Sequence, residues 1–316
     1  SECIRSTPLN QFESIVLPLK KQLRDKGVEF IKNCSVEDIL FETNGNRKKI
    51  SQIIVENGKS EVINLSADDI VFLSVGSMTA DFTVGSMDFP PKKIVEKKES
   101  SWVLWEKLAR ISPEFGNPSV FNTDVNKSKW VSFTVTLKDQ LFLQLLEKIT
   151  RRKAGTEGPV TITDSNWFIS FALPNHPHFK GQPDNVNLLW GYGLRPDAVG
   201  NFIKKRMVEC TGREILTELL HHLKFEEHAE NIINASVCIP CLMPYITSQF
   251  MPRKPGDRPQ VVPDNSENFA FIGQYCEMPD DIVFTLDYSV RSAQTAVYKL
   301  LKLDKTPTPI YKGHRN

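Results

Sequence analysis

The chain has no Gly-x-Gly-x-x-Gly, no Gly-x-Ser-x-Gly and no phosphate loop in its 316 residues. Without a glycine-rich turn opening a helix it encodes no self-contained pyrophosphate site, and without a nucleophile elbow no hydrolase of that type. Gly191-Tyr-Gly193 comes nearest, but no helix pattern follows it. Charge of one sign is lacking too. The 39 basic and 38 acidic residues leave a net charge of +1, which gives no field to concentrate nucleic acid, and Arg47-Lys48-Lys49 and Lys92-Lys93 read as solvated loops. No signal-peptide h-region and no apolar run of spanning length occurs, so the chain reads as soluble. Cysteine is sparse: six residues scattered over the chain suit reduced thiols in the cytosol.

What is present is concentrated in the run from Asn268 to Arg291. Phe269 to Ile272 is a short apolar strand ending at Gly273, where a missing side chain lets a ligand approach the backbone. Tyr288 and Ser289 then open a helix with apolar residues at Val290, Ala293, Val297, Leu300 and Leu301. The free N–H groups at such a helix start suit an electron-rich ligand edge. Strand, glycine turn and helix start together have the form of a cofactor-binding corner.

The rest of the pattern predicts an α/β (α+β) chain. Gln11 to Lys26 has helical spacing and stops at Gly27, and Val28 to Ile31 reads as a strand. Ser35 to Phe41, Ile50 to Glu56 and Glu61 to Leu65 are strands punctuated by Asn44-Gly45 and Asn57-Gly58 turns. Asp69 to Gly76 is a continuous apolar strand of the kind buried on both faces of a parallel sheet. Character changes at Pro90. Residues 1–90 and 256–303 are expected to share one domain, 91–255 to form an inserted substrate-binding domain, and 304–316 a tail. Within the insertion, Trp130 to Leu137 alternates as a strand, and Thr211-Gly-Arg-Glu214 has the capping-box pattern before a helix. Pro252 to Pro263 reads as a linker.

Few residues carry chemistry by pattern alone. Cys238-Ile-Pro-Cys241 lacks a second ligand pair and a helix start, so two small buried residues beside a strand is the favoured reading, and no metal site is expected. Met243 to Arg253 sets Tyr245, Thr247 and Ser248 among prolines and aromatics, as a ligand pocket does; backbone capping by Thr247 and Ser248 accounts for the hydroxyls equally well. Asn175-His-Pro-His178 places two imidazoles near Trp167 and Phe171, for substrate contact or a structural role.

Five segments carry a resemblance. Arg5-Ser-Thr-Pro-Leu-Asn-Gln-Phe-Glu-Ser14, Val75-Gly-Ser-Met-Thr79, Pro177-His-Phe-Lys-Gly-Gln-Pro183, Met243-Pro-Tyr-Ile-Thr-Ser248 and Val283-Phe-Thr-Leu-Asp-Tyr-Ser-Val-Arg291 closely resemble, in order, the oleate hydratase family, also called myosin-cross-reactive antigens. The resemblance implies part of a two-dinucleotide-binding-domain FAD flavoprotein with an inserted substrate domain. It implies an FAD-dependent hydro-lyase that adds water to a cis double bond of a long-chain unsaturated fatty acid, with no net redox change in the flavin. It also implies a cytoplasmic homodimer in transient contact with membranes. The chain corresponds to the C-terminal portion of such proteins, a little over half. The family's glycine-rich FAD loop, catalytic carboxylate and tyrosine acid fall upstream of Ser1, so no catalytic residue is assigned, and the chain without that N-terminal part is expected to be inactive.

By the same resemblance, Val36, Gly76, Ser77, Met78, Gly273, Gln274, Phe284, Thr285, Tyr288, Ser289 and Val290 are expected to contact FAD, and Asn175, His178, Tyr245 and Thr247 the fatty acid. Where many members have a threonine and an asparagine on the strand leading to the histidine, this chain has Ala172 and Pro174, so carboxylate recognition is expected to differ. Two rival readings remain: a fragment of an amine-oxidase-like FAD oxidoreductase, and a non-catalytic lipid-binding fragment.

Overall fold

A computed structural model of the chain describes residues 7–93, 100–151, 153, 158–284 and 286–310. In chain order, a π-helical turn at Phe12–Val16 runs into α1 (Leu17–Asp25), followed by β1 (Ser35–Asn44), β2 (Arg47–Glu56), β3 (Ser60–Asn64), β4 (Val71–Ser74) and β5 (Thr83–Val84). Next come α2 (Ser100–Ile111), α3 (Ser119–Asn122), α4 (Val125–Ser128), β6 (Trp130–Leu137), α5 (Leu141–Thr150), β7 (Val160–Thr161), β8 (Ile169–Ala172) and β9 (Asn187–Gly193). Then α6 (Gly212–His222), α7 (Ala229–Asn234), β10 (Ser236–Met243), β11 (Phe269–Ile272) and α8 (Leu286–Leu300) complete the order. Helix and strand are mixed, as the sequence pattern predicts.

Two compact units divide the chain. The first takes the described residues of Ser1–Phe30, Phe82–Ile94 and Lys129–Met243, and the second those of Ile31–Asp81, Val95–Ser128 and Pro244–Asn316. Helices α2 to α4 lie in the second unit. The cause is packing: Trp102, Trp105, Leu108 and Phe121 share one core with Phe269, Phe271 and Tyr275.

The first unit is built on an antiparallel sheet of order β5-β10-β6-β9-β8-β7. Its core face carries Val131, Phe133, Val135, Leu189 and Cys238, packed with side chains from α5, α6 and α7. Strand β9 can lie flat under Phe133 only because its register partner is Gly191, where a Cβ would stand 2.4 Å from the ring. The expected capping box is present: the Glu214 amide donates to Thr211 Oγ1 (3.2 Å) and the Thr211 amide to Glu214 Oε2 (2.9 Å). Thr211→Ala is therefore expected to cost about 1 kcal/mol, read as a lower urea midpoint at unchanged slope; an unchanged midpoint would mean the box contributes nothing. Cys238 and Cys241 lie within β10 rather than beside it, on opposite faces because strand side chains alternate. Their spacing therefore joins no chelate, and burial pushes the Cys238 thiol up to about 12.

In the second unit β1, β2 and β3 form an antiparallel meander whose turns place Gly45 (φ +61°) and Gly58 (φ +73°) in the left-handed region, as the two Asn-Gly pairs predict. Beside it stands a two-stranded parallel ladder of β4 with β11. Two expectations need correction. Val28 to Ile31 forms no strand; it follows α1 without regular structure, with Ile31 68% exposed. The apolar strand Asp69 to Gly76 is shorter, at Val71–Ser74, and is not buried on both faces: Leu73 is buried while Phe72 is 37% exposed. Among the described residues β11 is its only strand neighbour.

Candidate functional site

The β4–β11 ladder builds the site. Its register sets Ser74 opposite Ile272, so two parallel strands finish side by side and each passes at once into a glycine turn. Gly76 has φ +66° and Gly273 φ +97°, a conformation that side-chain-bearing residues rarely adopt. In open α/β sheets ligands settle outside the carboxyl ends of the strands. Residues 76–78 and 273–274, two hundred positions apart in the sequence to within a few, are thereby brought to one edge.

Both turns are held from behind. The Gly76 amide donates to the Ser101 carbonyl (3.2 Å), and the indole N–H of Trp102 donates to the Ser77 carbonyl (3.1 Å). A Cβ on Gly76 would stand 2.9 Å from the Tyr275 ring and 3.1 Å from that of Trp102, so this glycine serves aromatic packing as well as backbone twist. Gly273 is more open, with Ser74 Oγ 3.2 Å from where its Cβ would be. Its amide donates to Ser292 Oγ (2.9 Å) on α8. Ser77, Met78 and Gln274 are half-buried at this edge.

Helix α8 meets the corner through Tyr288, which is buried. The Tyr288 hydroxyl donates to the Cys276 carbonyl (2.6 Å) and accepts from the Met278 amide and from Arg258 Nη1, both at 3.1 Å. Burial raises its pKa. Phe284, Leu286 and Val290 are exposed and Ser289 half-buried, so the first turn of α8 is pinned on one side and presents apolar groups on the other. Phe284 also packs against Phe250, ring centroids 6.2 Å apart. Thr285 lies outside the described residues. Val36 sits on β1, packed against the same core but not on the ladder.

Tyr245 is buried beside Trp102 (5.3 Å between ring centroids), and burial pushes its hydroxyl up to about 12, aided by the Asp81 carboxylate. Thr247 caps backbone: its hydroxyl and amide both donate to the Ser128 carbonyl, at 3.0 and 3.1 Å. Ser248 bonds the Tyr275 hydroxyl, whose pKa burial likewise pushes up to about 12.

His178 and Asn175 belong to the first unit, in the loop after β8. The His178 carbonyl accepts from the Asn10 amide (2.8 Å) and Asn10 Nδ2 (3.0 Å), and its own amide donates to Gln182 Oε1 (2.8 Å). Glu13 accepts from the Lys180 amide (3.0 Å). Asn10, Glu13 and Gln182 are thus the residues that shape this loop. The imidazole of His178 is half-buried with Phe179 edge-on (5.0 Å), and Asn175 is exposed. Arg258 carries no signal in the sequence because its partners, Gln249 and Tyr288, lie outside its own stretch of chain.

Among the described residues no three His, Cys, Asp or Glu side chains are grouped to hold a metal ion, and no helix is long and apolar enough to cross a membrane.

Comparison with known proteins agrees with the resemblance. An oleate hydratase from Streptococcus pyogenes serotype M49 (strain NZ131) is 42% identical over 306 residues, covering 92% of this chain and 51% of the relative. A linoleate hydratase from Lactiplantibacillus plantarum is 32% identical over 346 aligned residues, covering 98% of this chain and 60% of the relative. The chain therefore spans between half and two thirds of the length of these curated relatives. The MCRA family model matches residues 1–298, and the chain belongs to the MCRA family.

Proposed function

We propose that this chain is the C-terminal part of an FAD-dependent fatty-acid hydratase, which adds water across a cis double bond of a long-chain unsaturated fatty acid. The observation that carries the reading is the β4–β11 edge, where two left-handed glycine turns and the start of α8 converge, in a chain 42% identical to an oleate hydratase. On this reading the second unit is part of a two-dinucleotide-binding-domain flavoprotein fold, and the first unit is its inserted substrate domain. The residues at the edge fit a planar, electron-rich group: backbone free of side chains at Gly273, small or flexible Ser77 and Met78, and apolar Phe284 and Val290.

Bound there, the flavin would supply shape and a fixed electrostatic environment near the charge that develops as the alkene is protonated. This chain's residues would hold it by main-chain contacts at 76–78 and 273–274 and by the face of α8. Loop 175–182, shaped by Asn10, Glu13 and Gln182, would receive the polar end of the fatty acid. The proton donor and the carboxylate that activates water would come from an N-terminal part that the relatives' extra length can supply. Homodimerisation, cytoplasmic location and transient membrane contact belong to the same proposal.

The test joins binding to turnover. The protein is titrated with FAD, followed by flavin absorbance, then given oleate with and without the N-terminal part of an MCRA relative. Expected are FAD uptake and a hydroxy fatty acid, formed only when both parts are present, with the flavin left oxidised. Flavin bleaching by substrate would favour oxidoreductase chemistry instead, and turnover by this chain alone would overturn the division of labour.

A further inference from the structure

Arg258, in the proline-rich stretch between β10 and β11, is 2% exposed, and among the described residues no carboxylate pairs with it. A buried guanidinium is costly unless its protons are used. Nη1 donates to the Tyr288 hydroxyl (3.1 Å) and Nη2 to the Gln249 carbonyl (2.6 Å), while Nε is buried without a partner. The planar group lies over Phe121 and Tyr288, 5.7 and 5.9 Å from their ring centroids. An apolar side chain would pack there at less cost, so the cation's effect is to be sought in what it holds.

It holds the corner. Tyr288 takes the far end of residues 273–278 through the Cys276 carbonyl and the Met278 amide, and Ser292, one turn along α8, takes the near end through the Gly273 amide. A cation donating to the phenolic oxygen strengthens that oxygen's own O–H donation to Cys276. We propose that Arg258 is a positioning residue: through Tyr288 it fixes the corner 273–278 against the first turn of α8 and so sets where Phe284, Ser289 and Val290 meet the flavin. The proposal rests on the flavin reading above.

Arg258→Met, which keeps volume but loses charge and donors, is compared with Tyr288→Phe, Arg258→Lys and the Met/Phe double variant in the protein carrying its N-terminal part. In Arg258→Met, amide exchange at Met278 should quicken about tenfold, FAD binding should weaken about tenfold, and the fine structure of the bound-flavin absorbance should change. Tyr288→Phe should give the same signature, the double variant should lose little more than either single one, and Arg258→Lys should recover part of the affinity. Unchanged Met278 exchange in both single variants, or additive losses in the double one, overturns the proposal. Faster exchange with unaltered FAD affinity and spectrum also overturns it, reducing Arg258 to packing. Should Arg258→Met fail to fold, Tyr288→Phe, with Arg258 intact, decides between the same outcomes. A protein that takes up no FAD but shows the exchange changes sinks the flavin reading while the clamp stands.

Discussion

Trp102→Ala is expected to destabilise the second unit by about 3–5 kcal/mol, the range for emptying a buried tryptophan site. The indole is fully buried and touches three other rings: Trp105, Tyr245 and Tyr275, with centroids 5.7, 5.3 and 5.0 Å away. Its N–H also binds the Ser77 carbonyl, so the alanine variant both opens a cavity and frees the turn after β4. Trp102→Phe separates the two effects. It keeps most of the ring, leaves the Ser77 carbonyl unpaired, and should cost about 1–3 kcal/mol. Denaturant unfolding gives the energies, and exchange at the Gly76 amide reports the turn. An alanine variant within 1 kcal/mol of the parent, by the same scale, would show that the aromatic cluster repacks around the gap.

Glu218→Ala should have a comparable effect in the first unit, about 3–5 kcal/mol. Glu218 is wholly buried on α6, and its carboxylate accepts three backbone N–H groups: Asn201 at 2.6 Å, Phe202 at 2.9 Å and Ile203 at 2.6 Å. His222 Nε2 lies 3.4 Å away. Three converging amides form a nest that only an acceptor satisfies, and alanine would leave them all unpaired. Glu218→Gln keeps one oxygen but turns an NH2 group toward a donor, so a smaller loss of about 1–3 kcal/mol is expected. If glutamine proves as harmful as alanine, the charge rather than the acceptor count holds loop 201–203. Equal stability of all three proteins would remove the nest from the account.

What the sequence disclosed follows from distance along the chain. The Thr211–Glu214 box and the two Asn-Gly turns were legible because both partners of each interaction lie within four residues. The strand at Phe269, its glycine and the following helix were legible for the same reason. Their pairing with β4 was not, since nothing in either segment names the other. Glu218 sits on a helix where its position reads as one more polar residue, and its partners are backbone groups that carry no side-chain signature. Arg258 lies in a stretch that reads only as a linker; its burial is decided by Phe121, Gln249 and Tyr288, which come from three other segments. The apolar run before Gly76 was read correctly as a strand, but burial on both faces depends on neighbours that no single segment encodes.

The β4–β11 ladder also bears on how this protein tolerates change. It closes a loop on the order of two hundred residues long, and the entropy of closing a loop grows only with the logarithm of its length. Lengthening or trimming Lys129–Met243, a part of the first unit that intervenes, would therefore alter the cost of forming the ladder very little. The energetic leverage lies instead in the four residue pairs from Val71–Phe269 to Ser74–Ile272. Within such a fold the inserted segment is free to diverge in size, while the short ladder is bound to keep its register.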